Sequence, residues 1–222
     1  MKSRFIMLFL ASVFTLAFAV SAQAVPVTAT ITADNFYALY YGNESGVTYV
    51  GRNETGSAGS PGTYNWSSPE TWNFDLSAGD YIYVAGWSDG NVAQAWIGEF
   101  DVGGQSLLTN DLDWEVYLTN QGLNGSETPT EASIFSNVNS AVWDSIHETR
   151  SNGDAPWGSI ASISSDAQWI WGTDMAPGST TGEYQLFRTK IPPAPVPEPG
   201  LLLLLGSGLA GLAFYRRRMN KV

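Results

Sequence analysis

Cysteine is absent from all 222 residues, so no disulfide can form and the fold has to rest on its core. Histidine occurs once, at His147. One imidazole without a thiol leaves few routes to a Ser–His–Asp triad or a His-based zinc site, and His147 reads as a surface helix residue. Basic residues are scarce away from the two ends of the chain. Lys2, Arg4, Arg216, Arg217, Arg218 and Lys221 lie at the ends. Between Val25 and Gly200 only Arg52, Arg150, Arg188 and Lys190 stand against all 21 acidic residues, which leaves −17. Nucleic acid is therefore not an expected partner, because phosphate binding needs a positive surface. A body of this charge stays soluble and draws cations.

Long helix-forming runs are also missing, while Trp, Tyr, Gly, Ser, Thr and Asn are plentiful, and all nine tryptophans fall in the body. That balance favours an all-β domain. Strands are predicted at Val27–Thr32 and Phe36–Tyr41, the latter running through a Gly42–Gly46 hairpin into Val47–Val50. Residues 51–63 form a Gly/Ser-rich loop. Further strands follow at Thr71–Leu76, Tyr81–Trp87, Val92–Val102 and Trp114–Leu118, with turns at Ser77–Asp80 and Ser88–Asn91 and a break at Gly103-Gly104. The pattern resumes at Ala167–Trp171 and ends with Glu183–Ile191. Between them, about 119–165, polar residues dominate and the chain reads as an insert, helical or irregular, over the sheet. Val142, Trp143 and Ile146 could share one side of a helix near Ala141–Thr149.

Both ends carry addresses. Lys2 and Arg4 precede an apolar run from Phe5 to Val20, and Ala22-Gln23-Ala24 is a small-x-small cleavage site. Residues 1–24 are thus expected to be a secretory signal peptide read by the Sec machinery and cut after Ala24. The body, 25–191, continues into a stiff Pro-rich spacer, 192–196. Pro197-Glu198-Pro199-Gly200 follows, then an apolar stretch from Leu201 to Tyr215, then Arg216-Arg217-Arg218. A bilayer core about 30 Å thick takes roughly 20 apolar residues, so a helix over 201–215 spans only with snorkelling arginines and a thinned bilayer. The arginines favour the cytoplasmic side and put the body outside.

In its order of Pro-Glu-Pro motif, short transmembrane segment and basic end, residues 197–222 resemble the PEP-CTERM sorting signals of Gram-negative bacteria. The resemblance implies that Pro197, Glu198 and Pro199 are read by exosortase. It also implies brief anchoring in the inner membrane, removal of the tail, and delivery to the cell surface or the extracellular space. In the body, Thr32–Asn43 and Ser165–Trp171, with Trp72–Leu76 and Ala78–Val84, resemble the galactose-binding-like, jelly-roll β-sandwich of accessory modules in glycosidases and surface proteins. A β-sandwich is the fold this implies.

The body offers three kinds of site. Sugar binding would use an exposed aromatic face with polar neighbours, and Trp87 beside Asp89 and Asn91 is the best such cluster. Calcium would find oxygen ligands in the turns Asp34-Asn35, Asp89-Gly90-Asn91 and Asp111-Leu112-Asp113, although Asp and Asn occupy turns for their own reasons. No cofactor is required by the sequence. Carboxylate pairs such as Glu99 with Asp101, or Asp111 with Asp113, would serve a polysaccharide-active enzyme, yet 21 acidic residues make such pairs common by chance. The leading expectation is a non-catalytic surface or matrix protein whose sandwich binds envelope polysaccharide. The alternatives are an enzyme of that kind and a calcium-stabilised structural module.

Overall fold

The computed structural model describes residues 24–53, 66–90, 93–123, 127–176 and 183–190, together with 206–209, 211 and 216. The chain divides into a body, Ala24–Ala194, and its two ends, Met1–Gln23 and Pro195–Val222. Among the described residues of the body, twelve strands build two antiparallel sheets. They are β1 Val25–Asp34, β2 Phe36–Asn43, β3 Gly46–Arg52, β4 Glu70–Leu76, β5 Tyr81–Trp87, β6 Ala95–Val102, β7 Gln105–Leu108, β8 Trp114–Gly122, β9 Asp144–Ser145, β10 Glu148–Ser151, β11 Gln168–Trp171 and β12 Glu183–Lys190. Helix α1 spans Glu131–Ser140.

The first sheet has the order β10-β11-β6-β1-β4, with β7 also on β6. The second has the order β3-β2-β5-β12-β8-β9. Their facing sides meet in aromatic contacts. Trp96 of β6 lies 4.7 Å edge-on from Trp114 of β8 and 5.5 Å from Phe187 of β12. Tyr41 of β2 stacks on Phe74 of β4 at 5.4 Å. Alternation supplies the rest of this inner core: Val27, Ala29, Ile31 and Ala33 from β1, Ile82 and Val84 from β5. Gly86 belongs to the same row, and a Cβ there would meet the Trp171 ring at 2.9 Å. Burial of this many apolar side chains is what replaces the missing disulfides.

The centre of sheet two is buried on both faces. The β5 sequence Tyr81–Trp87 is apolar at nearly every position because its odd positions face away from the inner core, into a second cluster with Phe36, Ala38, Tyr40, Tyr184 and Leu186. Helix α1 closes that cluster with Ile134 and Val138, an i, i+4 pair on one side. Thr130 caps the helix by accepting from the Ser133 N–H at 3.1 Å, and Glu131 sits in the first turn. The Glu131 carboxylate accepts from the Tyr49 N–H at 2.7 Å, which satisfies a donor of edge strand β3.

The insert departs from its predicted form. The helix lies at 131–140, not 141–149. The stretch 141–149 instead carries β9, which extends sheet two beside β8, and the start of β10, which extends sheet one beside β11. Val142 is 84% exposed, so the apolar positions there do not form one helical side. The segment after β10 covers sheet one: Trp157 stacks on Trp169 at 4.4 Å, and the Ser164 N–H donates to Glu99 at 2.8 Å. Strand β7 was not predicted. It folds back from β6 at Gly103-Gly104, whose φ values of 60° and 87° suit glycine in a two-residue hairpin.

Candidate functional site

Trp87 does not present a sugar-binding face. It is fully buried, stacked on Phe36 at 5.5 Å and 16°, with the Arg52 guanidinium 5.6 Å from its ring centroid. Its position at a strand end suggested exposure. Its register opposite Phe36 puts it in the second cluster instead. Asp89 is exposed, and Asn91 lies outside the described residues.

Two of the three predicted turns do come together. The Asp89 N–H donates to the Asn35 side-chain oxygen at 3.1 Å, so the β1–β2 and β5–β6 connections touch. Asn53 braces the junction: its amide donates to the Asn35 carbonyl at 2.6 Å, and its oxygen accepts from the Tyr37 N–H at 3.0 Å. Asp34 accepts from the Trp157 indole N–H at 2.8 Å. Burial pushes the Asp34 carboxyl above its ordinary range, the indole hydrogen bond works against that, and the charge of Asp89 adds to it. The third turn is separate in its bonding. Asn110 accepts from the N–H groups of Leu112 and Asp113, both at 2.8 Å, and donates to the Asp113 carboxylate at 2.9 Å. Among the described residues, no group of three or more His, Cys, Asp or Glu side chains is placed to hold a metal ion.

Of the carboxylates considered for catalysis, Glu99 and Asp101 are engaged by backbone. Glu99 accepts from Ser164 as above, and Asp101 accepts from the Gly104 N–H at 2.6 Å in the β6–β7 hairpin. Both positions on β6 alternate with the core residues Gly98, Phe100 and Val102 and so face outward. His147 is exposed, 3.0 Å from Asp174, in the link between β9 and β10 and not on a helix.

One cluster went unnoticed in the sequence. Arg188 of β12 is flanked in register by Tyr83 of β5 and Glu115 of β8. Its guanidinium lies 4.1 Å from the Trp143 ring centroid and 4.8 Å from that of Tyr81, and 2.7 Å from the Glu115 carboxylate. Tyr117 of β8 stands edge-on to Trp143 at 6.3 Å. Tyr81, Tyr117 and Trp143 are all half-buried. Four stretches of chain meet here, 81–83, 115–117, 143 and 188, and no spacing rule links them.

Of the tail, Pro197, Glu198, Pro199, Arg217 and Arg218 lie outside the described residues, as does Ala22 at the other end. Ala24 is exposed and immediately precedes β1. Residues 206–209, 211 and 216 are helical, within and just after the predicted membrane segment 201–215. Among the described residues no helix is long and apolar enough to cross a membrane.

These features frame the comparison with known proteins. The body is a two-sheet β-sandwich carrying a helix on one outer face. Residues 195–218 match the PEP-CTERM protein-sorting motif. No curated protein and no solved structure matches the chain.

Proposed function

We propose that this chain is an exported protein of a Gram-negative envelope, sorted by exosortase through its C-terminal signal. Its body is a non-catalytic module that binds envelope or extracellular polysaccharide. The observation that carries the sorting reading is the motif at 195–218. Its chemistry fits the task. Proline disfavours regular helix and favours extended backbone at itself and the residue before it, so a Pro-Glu-Pro sequence suits an enzyme cleft at little ordering cost. Glu198 is the one charge between Lys190 and Arg216, which makes it the natural specificity contact.

The opposite end supports export. Cleavage after Ala24 would free the chain at Val25, where β1 begins and Val25 already pairs with Leu76. The signal could thus be removed without loss of a paired strand residue.

The test is cell fractionation with intact mass. Wild-type protein should leave the membrane as a species that begins at Val25 and lacks Arg216–Arg218. Glu198→Ala should leave the body membrane-bound with the arginines present. Release of the variant at the wild-type rate and mass would mean that the motif is a plain linker. Glycan array binding by the released protein tests the polysaccharide half of the proposal.

A further inference from the structure

We propose that the outer face of sheet two carries a binding platform for a neutral polysaccharide, made by Tyr81, Tyr117 and Trp143 around the Arg188–Glu115 pair. This rests on the reading of the body as a polysaccharide binder and places the site away from Trp87. The largest aromatic side chains of the body are mostly sealed, among them Trp87, Trp96, Trp114, Trp169 and Trp171. Tyr81, Tyr117 and Trp143 are not, and they gather around one ion pair. Helix α1 covers the same face of the sheet only as far as Ile134 and Val138 reach.

The chemistry suits a sugar ring. A pyranose has C–H faces that stack on aromatic carbon and a rim of hydroxyls that both donate and accept. The platform offers half-exposed ring surface, and Glu115 and Arg188 place an acceptor and a donor 2.7 Å apart in the middle of it. Adjacent strands hold that pair in register, so little ordering cost attends binding.

Charge selects among glycans. The Arg188 guanidinium is already matched by Glu115, and the body around it, residues 25–191, carries −16. An anionic polysaccharide would meet a repulsive field and a neutralised cation, whereas a neutral one meets neither.

The experiment is affinity electrophoresis of the full chain in a non-ionic detergent, in native gels containing galactomannan, dextran, hydroxyethylcellulose or alginate. Wild type should be retarded by at least one neutral polymer and not by alginate. Trp143→Ala and Tyr117→Ala should each weaken that retardation on the order of tenfold, as removal of an aromatic anchor does. Glu115→Gln, which keeps the side-chain shape, should weaken it less. Phe135→Ala, on the solvent side of α1 and 39% exposed, should leave it unchanged. Thermal melts of each variant separate loss of binding from loss of fold, and Glu115→Gln carries the test if an aromatic variant unfolds. Retardation that survives all three platform variants overturns this site while leaving polysaccharide binding intact. Retardation by alginate alone overturns the neutral-glycan assignment. No retardation of wild type by any polymer counts against polysaccharide binding itself, and the platform falls with it.

Discussion

The centre of sheet two is buried on both faces, but the two faces are built from different materials. The inner face meets sheet one through Trp114, Val116, Ile82, Val84 and Phe187, and the facing Trp96 and Phe100 interlock with them. The outer face meets α1 through Tyr40, Tyr83 and Tyr184 as well as through aliphatic residues. Two of its three hydroxyls find partners, while that of Tyr83 is buried without one among the described residues. Tyr40 donates to the Pro129 carbonyl. Tyr184 donates to Gln121 at 2.9 Å and accepts from Asn137, which in turn accepts from Gln121 at 3.3 Å. The lesson is one of shape. Two sheets meet along a broad front and can fill it with indole rings and aliphatic side chains. A single three-turn helix leaves gaps at its ends, and tyrosines fill them with rings while tethering the ends of the helix by hydrogen bonds.

The sharpest way to test this contrast is to remove one large side chain from each side. Trp96→Ala should cost about 3–5 kcal/mol, and Ile134→Ala about 2–3 kcal/mol, since a helix can shift to fill part of the space left. Chemical denaturation checks both. Trp96→Ala should lower the stability of the whole body. Ile134→Ala should loosen the helix while the strand signal in circular dichroism persists. Equal and global losses would show that the two cores are one cooperative unit.

A second test uses pH. Burial raises the phenol pKa of Tyr40 and Tyr83, and that of Tyr184 to about 12, its hydrogen bond to Asn137 working the other way. An unfolded tyrosine ionises near 10, so stability from these residues is full below pH 10 and falls as the pH rises beyond it. Tyr184→Phe should remove part of that alkaline slope and leave the melting temperature at pH 7 lower by a few degrees. Unfolding followed between pH 8 and 12 decides it. An unchanged slope in the variant would assign the alkaline sensitivity elsewhere, first to Tyr37 on the inner face.

The smallest effect belongs to Asp34, at the edge of the cover over sheet one. Its raised pKa means that the folded state holds its proton better than the unfolded state does. Its contribution therefore favours the fold at acid pH and declines as pH climbs from about 4 through the raised value. Asp34→Asn keeps an acceptor for the Trp157 indole. It should flatten that decline and leave stability at pH 7 equal to or slightly above wild type. A clear loss of stability at pH 7 would show that the ionised carboxylate itself holds Trp157 in place.

Much of the body was legible in the sequence where local pattern and tertiary setting agree. Tyr81–Trp87 was read with both boundaries, because a continuous apolar run between two turns is what a strand buried on both faces requires. The β2–β3 hairpin was legible from Gly42–Gly46. Strand β7 was not, since Gln105 and Ser106 carry no apolar signal and pairing with β6 alone makes them a strand. The helix was displaced by ten residues for a related reason. Only Ile134 and Val138 mark its buried side, whereas the apolar cluster at 142–146 serves two sheets. Trp87 misled because exposure at a strand end depends on what lies across from it. Phe36, fifty-one positions earlier, and Arg52 cover it. The Arg188 platform needed strand order, which no local pattern contains.

Strand β12 is the last element of the body, and it occupies an interior slot of sheet two, hydrogen-bonded to β5 on one side and β8 on the other. For a chain synthesised from its N-terminus, that makes completion a matter of timing. Until Glu183–Lys190 arrive, β5 and β8 have no strand to join them, and the sheet stays open through its middle. The domain therefore cannot close ahead of its own synthesis, and a product truncated before residue 183 would lack the piece that makes it whole. Closure falls due just as the Pro-rich spacer and the sorting segment come next in line.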